Sequence, residues 1–231
     1  MKILALDTAT EACSAALYID GSITTEYQLA PREHTQLILK MIEDLLCQAT
    51  LQVSDLDAIA FGRGPGSFTG VRIATGVAQG LAFAADLPVL PISTLASIAQ
   101  STYNDHKTEH VLAGIDARMG GIYWGCYSLA DNGLMQLVGD EQVTSPEFLS
   151  IPSGNTHQSW VGAGSAWSSY TEQLNRQLGD DLIQHYSDYF PQSASIVQLA
   201  VYEYERGNAV EAAQAQPVYL RNDVAKKSAQ Q

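Results

Sequence analysis

Two segments of the chain share one pattern: an apolar strand that ends in an aspartate, followed by a short turn and a second strand. The first copy begins with KILALD, which ends in Asp7, and continues with a strand over about 13–19. The second copy reaches Asp116 in the same way and continues with a strand over about 121–129. A unit that recurs along a chain indicates a duplicated domain. The sequence therefore predicts two related lobes.

The elements that follow the first aspartate specify the kind of lobe. Asp20-Gly21 separates two strand-like runs, which is a strong hairpin signal. A helix over about 33–48, a strand over about 56–61 and a helix that ends near residue 85 come next. This order of elements is an α/β layer that starts with an antiparallel hairpin. The predicted fold is two ribonuclease-H-like α/β lobes, with mixed sheets and flanking helices, that face each other across a cleft.

The polar segment 103–109 is the predicted boundary between the lobes. The first lobe then spans 1–105 and the second, degenerate lobe spans 106–231. A helix is predicted near the end of the chain, over 194–206. Whether the C-terminal part, about 192–231, stays with the second lobe or returns to the first is left open by the pattern.

The charge of the chain limits its partners. Twelve Lys and Arg residues stand against twenty-five Asp and Glu residues, which gives a formal net charge of −13. Proteins that bind nucleic acid unaided gain affinity by neutralising phosphates with basic side chains. The nearest approach to a basic cluster is Lys226-Lys227. Any role in RNA chemistry therefore requires a partner that holds the RNA.

The cellular compartment is predicted from the absence of targeting and membrane-spanning signals in the sequence. The first apolar run is cut by Asp7, so no secretory leader is expected, and no apolar run is long enough to span a membrane. Three cysteines at no metal-binding spacing fit a reducing environment. The prediction is a cytoplasmic protein with no membrane contact.

The run GRGPGSFTGVRI (62–73) follows a strand and opens a helix, where exposed backbone N–H groups can bind an anion. It is not a P-loop, because it contains no Lys. The favoured interpretation is a tight strand-to-helix turn with Ser67 as the N-cap, and phosphate binding is the alternative.

Two helices of the first lobe carry surfaces that indicate a partner. Small residues on one stripe of the helix after the glycine-rich run allow another backbone to come close. The preceding helix is apolar on two sides, and one side suffices to cover a sheet. His34, at its start, is predicted to be an interface residue rather than a general base. The predicted partner-binding residues are His34, Ile38, Met41, Leu45, Ile73, Gly76, Gly80 and Ala84.

The two aspartates allow a second hypothesis. Carboxylates that face each other across a cleft can hold a metal ion for phosphoryl chemistry. Residual nucleotide or phosphate binding would involve Asp7, Thr8, Asp116 and Arg118. No catalytic residue and no metal site is predicted, since the pair His106 and His110 offers no third ligand.

Five segments of the chain closely resemble the bacterial TsaB family, also called YeaZ. They are ILALDTATEACSAALY (3–18), PREHTQLIL (31–39), GRGPGSFTGVRI (62–73), AGIDARMGGIYW (113–124) and PVYLRNDVA (217–225). The resemblance runs from end to end and implies a two-lobed actin/sugar-kinase fold. It also implies a non-catalytic subunit, not an enzyme, in the synthesis of threonylcarbamoyladenosine beside the anticodon of tRNAs that read codons beginning with A.

The resemblance further implies partners. The paralogue TsaD transfers the threonylcarbamoyl group, TsaB binds and activates TsaD, and the ATPase TsaE joins the pair. The pairing surface is implied to be the two helices of the first lobe, through which isolated members also form a homodimer. Contact with tRNA would be indirect. No cofactor is predicted for this chain, and ATP or ADP with magnesium, bound only within the complex, is the alternative. The alternative is an ATP-dependent, small-molecule-kinase-like enzyme that acts alone, with Asp7 and Asp116 holding magnesium.

Overall fold

The computed structural model describes residues 1–152, 154 and 159–221 and confirms the predicted α/β fold with mixed sheets and flanking helices. Part of the motif at 217–225 and the pair Lys226-Lys227 lie outside the described residues. Each lobe is built on a five-stranded mixed sheet. The first sheet contains β1 (Lys2–Asp7), β2 (Ala12–Ile19), β3 (Ser22–Leu29), β4 (Ala58–Gly62) and β5 (Val89–Ile92). The second sheet contains β6 (His110–Asp116), β7 (Ile122–Leu129), β8 (Met135–Thr144), β9 (Trp160–Ala163) and β10 (Leu182–Tyr186).

The two sheets have the same topology, as the repeated strand–Asp unit predicts. In the first sheet the strand order is β3-β2-β1-β4-β5, and in the second it is β8-β7-β6-β9-β10 when read in the matching direction. The first three strands of each are antiparallel, and the remaining neighbours are parallel. Asp7 and Asp116 therefore occupy equivalent positions at the ends of the strands β1 and β6. The strand β10 was not predicted.

Five α-helices in the described part of the chain cover the sheets. They are α1 (His34–Ala49), α2 (Phe68–Ala85), α3 (Thr94–His106), α4 (Ala166–Leu178) and α5 (Ser193–Glu205). Alternate residues of β1 point to opposite faces of the first sheet. Leu4 and Leu6 pack in the core that α1 and α2 cover, whereas Ile3 and Ala5 pack in the core that α5 covers. The C-terminal helix thus returns to the first lobe.

The helix α3 packs on the lobe opposite to the one from which it emerges. It follows β5 of the first lobe, yet its apolar residues pack on the second sheet; Leu95 and Ile98 lie in one core cluster with Val111 and Ala113 of β6. The helix α4 covers the other face of that sheet. The predicted boundary near residue 105 therefore separates the two sheets but not the helices that cover them.

The segment after α5 also belongs to the first lobe. Val210 forms an antiparallel bridge with Val89, and Ala215 is buried in the core beneath α1 and α2. Further along, the Val218 N–H donates to the carbonyl of Arg63 at 2.8 Å. Among the described residues, no helix is long and apolar enough to cross a lipid bilayer.

Candidate functional site

The glycine-rich loop between β4 and α2 is packed against the turn that follows β1. The Ser67 N–H donates to the Ala9 carbonyl at 2.7 Å, and the Thr8 hydroxyl donates to the Gly70 carbonyl at 2.6 Å. A Cβ atom at Gly66 would lie 2.4 Å from the Ala9 carbonyl oxygen. The glycines are required because two backbones touch. The loop is therefore in direct backbone contact with the turn that follows β1.

The start of α2 supports the interpretation of this run as a strand-to-helix turn. The Ser67 hydroxyl accepts from the Gly70 N–H, as an N-cap residue does. The Val71 N–H is bonded to the Ser67 carbonyl, so it is not directed at a ligand. The backbone donors of Ser67, Gly70 and Val71 are thus used within the protein.

Asp7 lies fully buried beneath this loop. One carboxylate oxygen, Oδ1, accepts from the Ala9 N–H at 2.9 Å, and the other, Oδ2, has no hydrogen-bond partner among the described residues. A Cβ atom at Gly62 would lie 1.7 Å from Asp7 Oδ2, so only glycine fits there. Burial raises the pKa of Asp7 to about 7, although the Ala9 N–H opposes this shift. At neutral pH a large share of the molecules therefore carry a protonated Asp7.

This shift predicts how stability depends on pH. The unfolded carboxyl titrates near 3.8, whereas the folded one titrates near 7, so between these values the folded state holds a proton that the unfolded state has lost. The free energy of unfolding should therefore fall as pH rises through this window, by up to about 1.4 kcal/mol per pH unit from Asp7 alone. Urea unfolding of the wild type and Asp7→Asn at several pH values checks this.

In Asp7→Asn this component of the slope should disappear. The exposed Asp180 supplies the control, since Asp180→Asn should keep the wild-type slope. Equal slopes in wild type and Asp7→Asn would contradict the buried-acid assignment.

Asp116 has a different environment in the second lobe. Its carboxylate accepts from the Ser169 hydroxyl at 2.9 Å, from the Tyr170 hydroxyl at 3.2 Å and from the Arg118 backbone N–H at 2.8 Å. The Arg118 side chain also donates to it at 3.3 Å. The same guanidinium reaches Glu11 of the first lobe at 3.4 Å. Because the Arg118 side chain is 74% exposed, this ion pair contributes little to stability.

The contact between Arg118 and Glu11 thus joins the two aspartate turns, but the turns are not shaped for a magnesium-bound nucleotide. Asp7 is enclosed, and burial raises its pKa to about 7, so the carboxylate form that would bind magnesium is less favoured than in an ordinary aspartate. Thr8 is fully buried, with its hydroxyl bonded to Gly70. Both oxygens of Asp116 are bonded to protein donors. In this arrangement these residues do not fit such a group.

One face of the helix α1 does not behave as predicted. Ile38, Met41 and Leu45 were expected to need cover from a partner, but they are 1%, 7% and 1% exposed and pack in the core of the first lobe. His34 is also buried, at 8% exposure. The prediction that these four side chains are free to contact a partner is therefore wrong. Both apolar sides of α1 are covered within the first lobe, with Leu39 left 55% exposed.

The helix α2, by contrast, leaves its small-residue stripe in solvent. Gly76, Gly80 and Ala84 are exposed or half-buried, and Ile73 is half-buried against the core. A Cβ atom at Gly76 or Gly80 would meet no atom of a neighbouring element within 4 Å. Each interior glycine lowers helix stability by about 0.5–1 kcal/mol relative to alanine. No contact among the described residues accounts for glycine at these two positions.

Two phenylalanines extend this exposed side of α2. Phe83, one turn beyond Gly80, is 84% exposed, and Phe68 at the helix start is 56% exposed. Arg72 lies over the Phe68 ring at 3.5 Å from its centroid and donates to the Tyr219 hydroxyl at 2.8 Å. The exposed α2 face is defined here as Phe68, Arg72, Ile73, Gly76, Gly80, Phe83 and Ala84.

Several groups around these sites were not anticipated from the sequence. The spacing of Phe83 from Gly76 and Gly80 follows the helical period, so it could have been placed on this face. Ser169 and Tyr170 carry no such signal, because their contact with Asp116 spans more than fifty residues. The same holds for Arg221, which donates to the Ala117 carbonyl at 3.1 Å.

Comparisons with known proteins agree on one family. The family model described as "TsaD: tRNA N6-adenosine threonylcarbamoyltransferase" matches residues 22–229. The tRNA threonylcarbamoyladenosine biosynthesis protein TsaB of Escherichia coli (strain K12) is 42% identical, over 98% of this chain and 97% of that protein. TsaB of Haemophilus influenzae is 41% identical, over 97% and 95% respectively. The solved structure of YeaZ from Pseudomonas aeruginosa is 47% identical with a TM-score of 0.88, over 95% of this chain and 99% of that one.

Proposed function

Because the chain belongs to the TsaB family of tRNA threonylcarbamoyladenosine biosynthesis proteins, we propose that it is a non-catalytic subunit that binds the transferase TsaD and activates it. The exposed α2 face carries this proposal. Gly76 and Gly80 have open space above them and lie beside an almost fully exposed Phe83. Such a face is suited to close contact with another helix. That helix would bury the phenylalanines and occupy the space that the two glycines leave open.

The similarity to TsaD supports the choice of partner. A TsaD family model matches 208 of the 231 residues, so TsaD is expected to contain a related fold with an equivalent helix. Two related lobes can pair through equivalent faces about an approximate two-fold axis. A second copy of this chain presents the same face, so the isolated protein is expected to form a homodimer that TsaD displaces.

A supporting rather than a catalytic role fits the environments of the two aspartates. Asp7 is sealed by the glycine-rich loop, and Asp116 is held by Ser169, Tyr170 and Arg118. The net charge of −13 disfavours capture of tRNA by this chain alone. Ordering of the active site of TsaD is the activation mechanism that we favour, and TsaE is expected to join the assembled pair.

Reconstitution of tRNA modification tests the proposal. TsaD, TsaE and the enzyme that supplies threonylcarbamoyl-adenylate are assayed with and without this chain, and mobility shifts report tRNA binding. We expect modification only when the chain is present, and no tRNA shift with the chain alone at physiological salt. Full activity without it, or modification by the chain without TsaD, would refute the proposal.

Asp116→Asn separates this role from that of an ATP-dependent enzyme. Asparagine retains an oxygen that can accept from Arg118 but lacks the negative charge with which a carboxylate holds magnesium. A non-catalytic subunit should therefore support modification at the wild-type rate after this change. Loss of modification by a variant that still binds TsaD would favour a catalytic role for Asp116.

A further inference from the structure

A cavity of about 600 Å³ lies between the two lobes, on the far side of the glycine-rich loop from α2. Its walls are the edge strands β5 and β8, the start of α3 and one side of α5. This volume is typical of small-molecule sites. Neither aspartate turn lines it, and the exposed α2 face is not part of it.

One end of the cavity contains the cationic side chain of Arg63. This residue follows β4, and its backbone is fixed on both sides, because its N–H donates to the Ile92 carbonyl and its carbonyl accepts from Val218, each at 2.8 Å. Its side chain lines the cavity, and the Nε atom is buried with no hydrogen-bond partner among the described residues. A buried charged donor without an acceptor is costly. The residue as a whole is half-buried, so this applies to Nε, which lacks an acceptor that a ligand in the cavity can supply.

Two acids, Glu141 and Glu203, line the same cavity, and a Glu203 oxygen accepts from the Asn208 side chain. Glu141 accepts hydrogen bonds from the hydroxyls of Ser93 and Tyr127. It lies beside the N-cap of α3, where the helix dipole stabilises negative charge. Burial, followed by the effect of Glu141, raises the pKa of Tyr127, so this hydroxyl keeps the proton that it donates. One carboxylate oxygen of Glu141, Oε1, thus accepts from two protein hydroxyls rather than from Arg63.

The remaining walls are mixed. Polar side chains of β8 and of the end of α5 form part of them, among them Gln136, Tyr202 and Arg206, and apolar side chains form the rest. Leu90, Ile92 and Met135 are 1%, 6% and 3% exposed and line the cavity together with Leu134 and Leu199. A ligand that pairs with Arg63 and covers this apolar part of the wall combines an anionic group with an apolar body. The planar guanidinium of arginine binds carboxylates and phosphates through two parallel hydrogen bonds.

We propose that this cavity binds a small organic acid, whose carboxylate pairs with Arg63 and whose apolar body lies against the wall formed by β5, β8 and α5. Glu141 selects for a single negative charge, since it repels a second charge on the ligand and so disfavours a phosphate dianion. The inference concerns a part of the molecule away from the α2 face. It does not depend on pairing with TsaD.

Methyl NMR of the full-length chain tests the proposal. Only four methionines are present, and Met135 alone among them lines the cavity, so Met41 and Met119 serve as internal references. The probes are branched and aromatic carboxylic acids, the α-amino acids with the same bodies, their uncharged methyl esters, and inorganic phosphate. We expect the carboxylates to shift the Met135 signal selectively, and the esters and phosphate to leave it unchanged.

Arg63→Gln should weaken binding of the acids roughly tenfold or more, because a charge-assisted pair is lost. Arg176→Gln removes an equal charge from the exposed surface of α4 and should bind as the wild type does. Should Arg63→Gln fail to fold, Ala96→Leu narrows the cavity from α3 and should weaken binding in its place. Equal binding of acid and ester, a response to phosphate alone, unchanged affinity in the variants, or no shift with any probe would overturn the proposal.

Discussion

Replacement of Gly76 or Gly80 by leucine is expected to abolish copurification with TsaD while leaving the fold intact. At neither position would a Cβ atom meet an atom of a neighbouring element within 4 Å, so the isolated chain accommodates the larger side chain in solvent. Leucine is also the better helix former, by about 0.5–1 kcal/mol per site. In a close-packed helix interface, however, each protruding side chain costs about 1–3 kcal/mol. This cost weakens binding roughly ten- to hundredfold.

The matched control for this prediction is Gln173→Leu. It adds the same side chain to an exposed position of α4 in the second lobe, so copurification should persist. Thermal unfolding should show all three variants to be at least as stable as the wild type. Sedimentation should show the glycine variants to be monomeric if the homodimer uses the same face. Normal TsaD binding by both glycine variants would rule out the exposed α2 face as the pairing surface.

The lobe architecture could be predicted because its signals are local. A strand that ends in aspartate, followed by a hairpin, appears twice, and each copy became the antiparallel half of a sheet. No comparable sequence signal predicts that α3 packs on the second sheet and α5 on the first. An amphipathic helix specifies that one side must be covered, but does not specify which of two similar sheets covers it.

The wrong prediction that one side of α1 is free to contact a partner has a physical cause. The periodicity of its apolar residues indicates two apolar sides, whereas a helix that packs on a flat sheet needs only one apolar side to cover it. In the structure this helix packs against β2 and also against α2, so its second side faces a neighbour in the same lobe. Sequence periodicity measures how wide an apolar surface is, but does not identify the group that covers it.

The stripe on α2 could be singled out from the sequence because glycine contributes no side chain to a core. Gly76 and Gly80 were recognised as costly in a helix, and among the described residues the chain itself supplies no compensating contact. Gly70 lies on the same helix, but glycine is required there for a different reason. The position is buried against the backbone of Thr8. The sequence alone did not distinguish these two cases, since a backbone contact with Thr8, more than sixty residues away, leaves no periodic trace.

This difference between glycines of one helix gives the second large prediction. At Gly70, a Cβ atom would lie 2.0 Å from the carbonyl oxygen of Thr8 and 3.0 Å from its carbonyl carbon. Both are backbone atoms, and the Thr8 hydroxyl bond to the Gly70 carbonyl holds them in place. Gly70→Ala must therefore separate the glycine-rich loop from the turn after β1. We expect a loss of about 3 kcal/mol or more in the free energy of unfolding.

Gly76→Ala makes the identical chemical change further along α2 and should have the opposite sign. Its methyl group enters solvent, so only the helix propensity changes, and the free energy of unfolding should rise by about 0.5–1 kcal/mol. Urea unfolding of both variants measures the difference directly. Since the helix and the substitution are the same, an opposite sign isolates the backbone contact at Thr8 as the cause. Similar changes in the free energy of unfolding at both sites would show that the glycine-rich loop is not in tight contact with the turn after β1. The complete burial of Asp7 would then be unexplained.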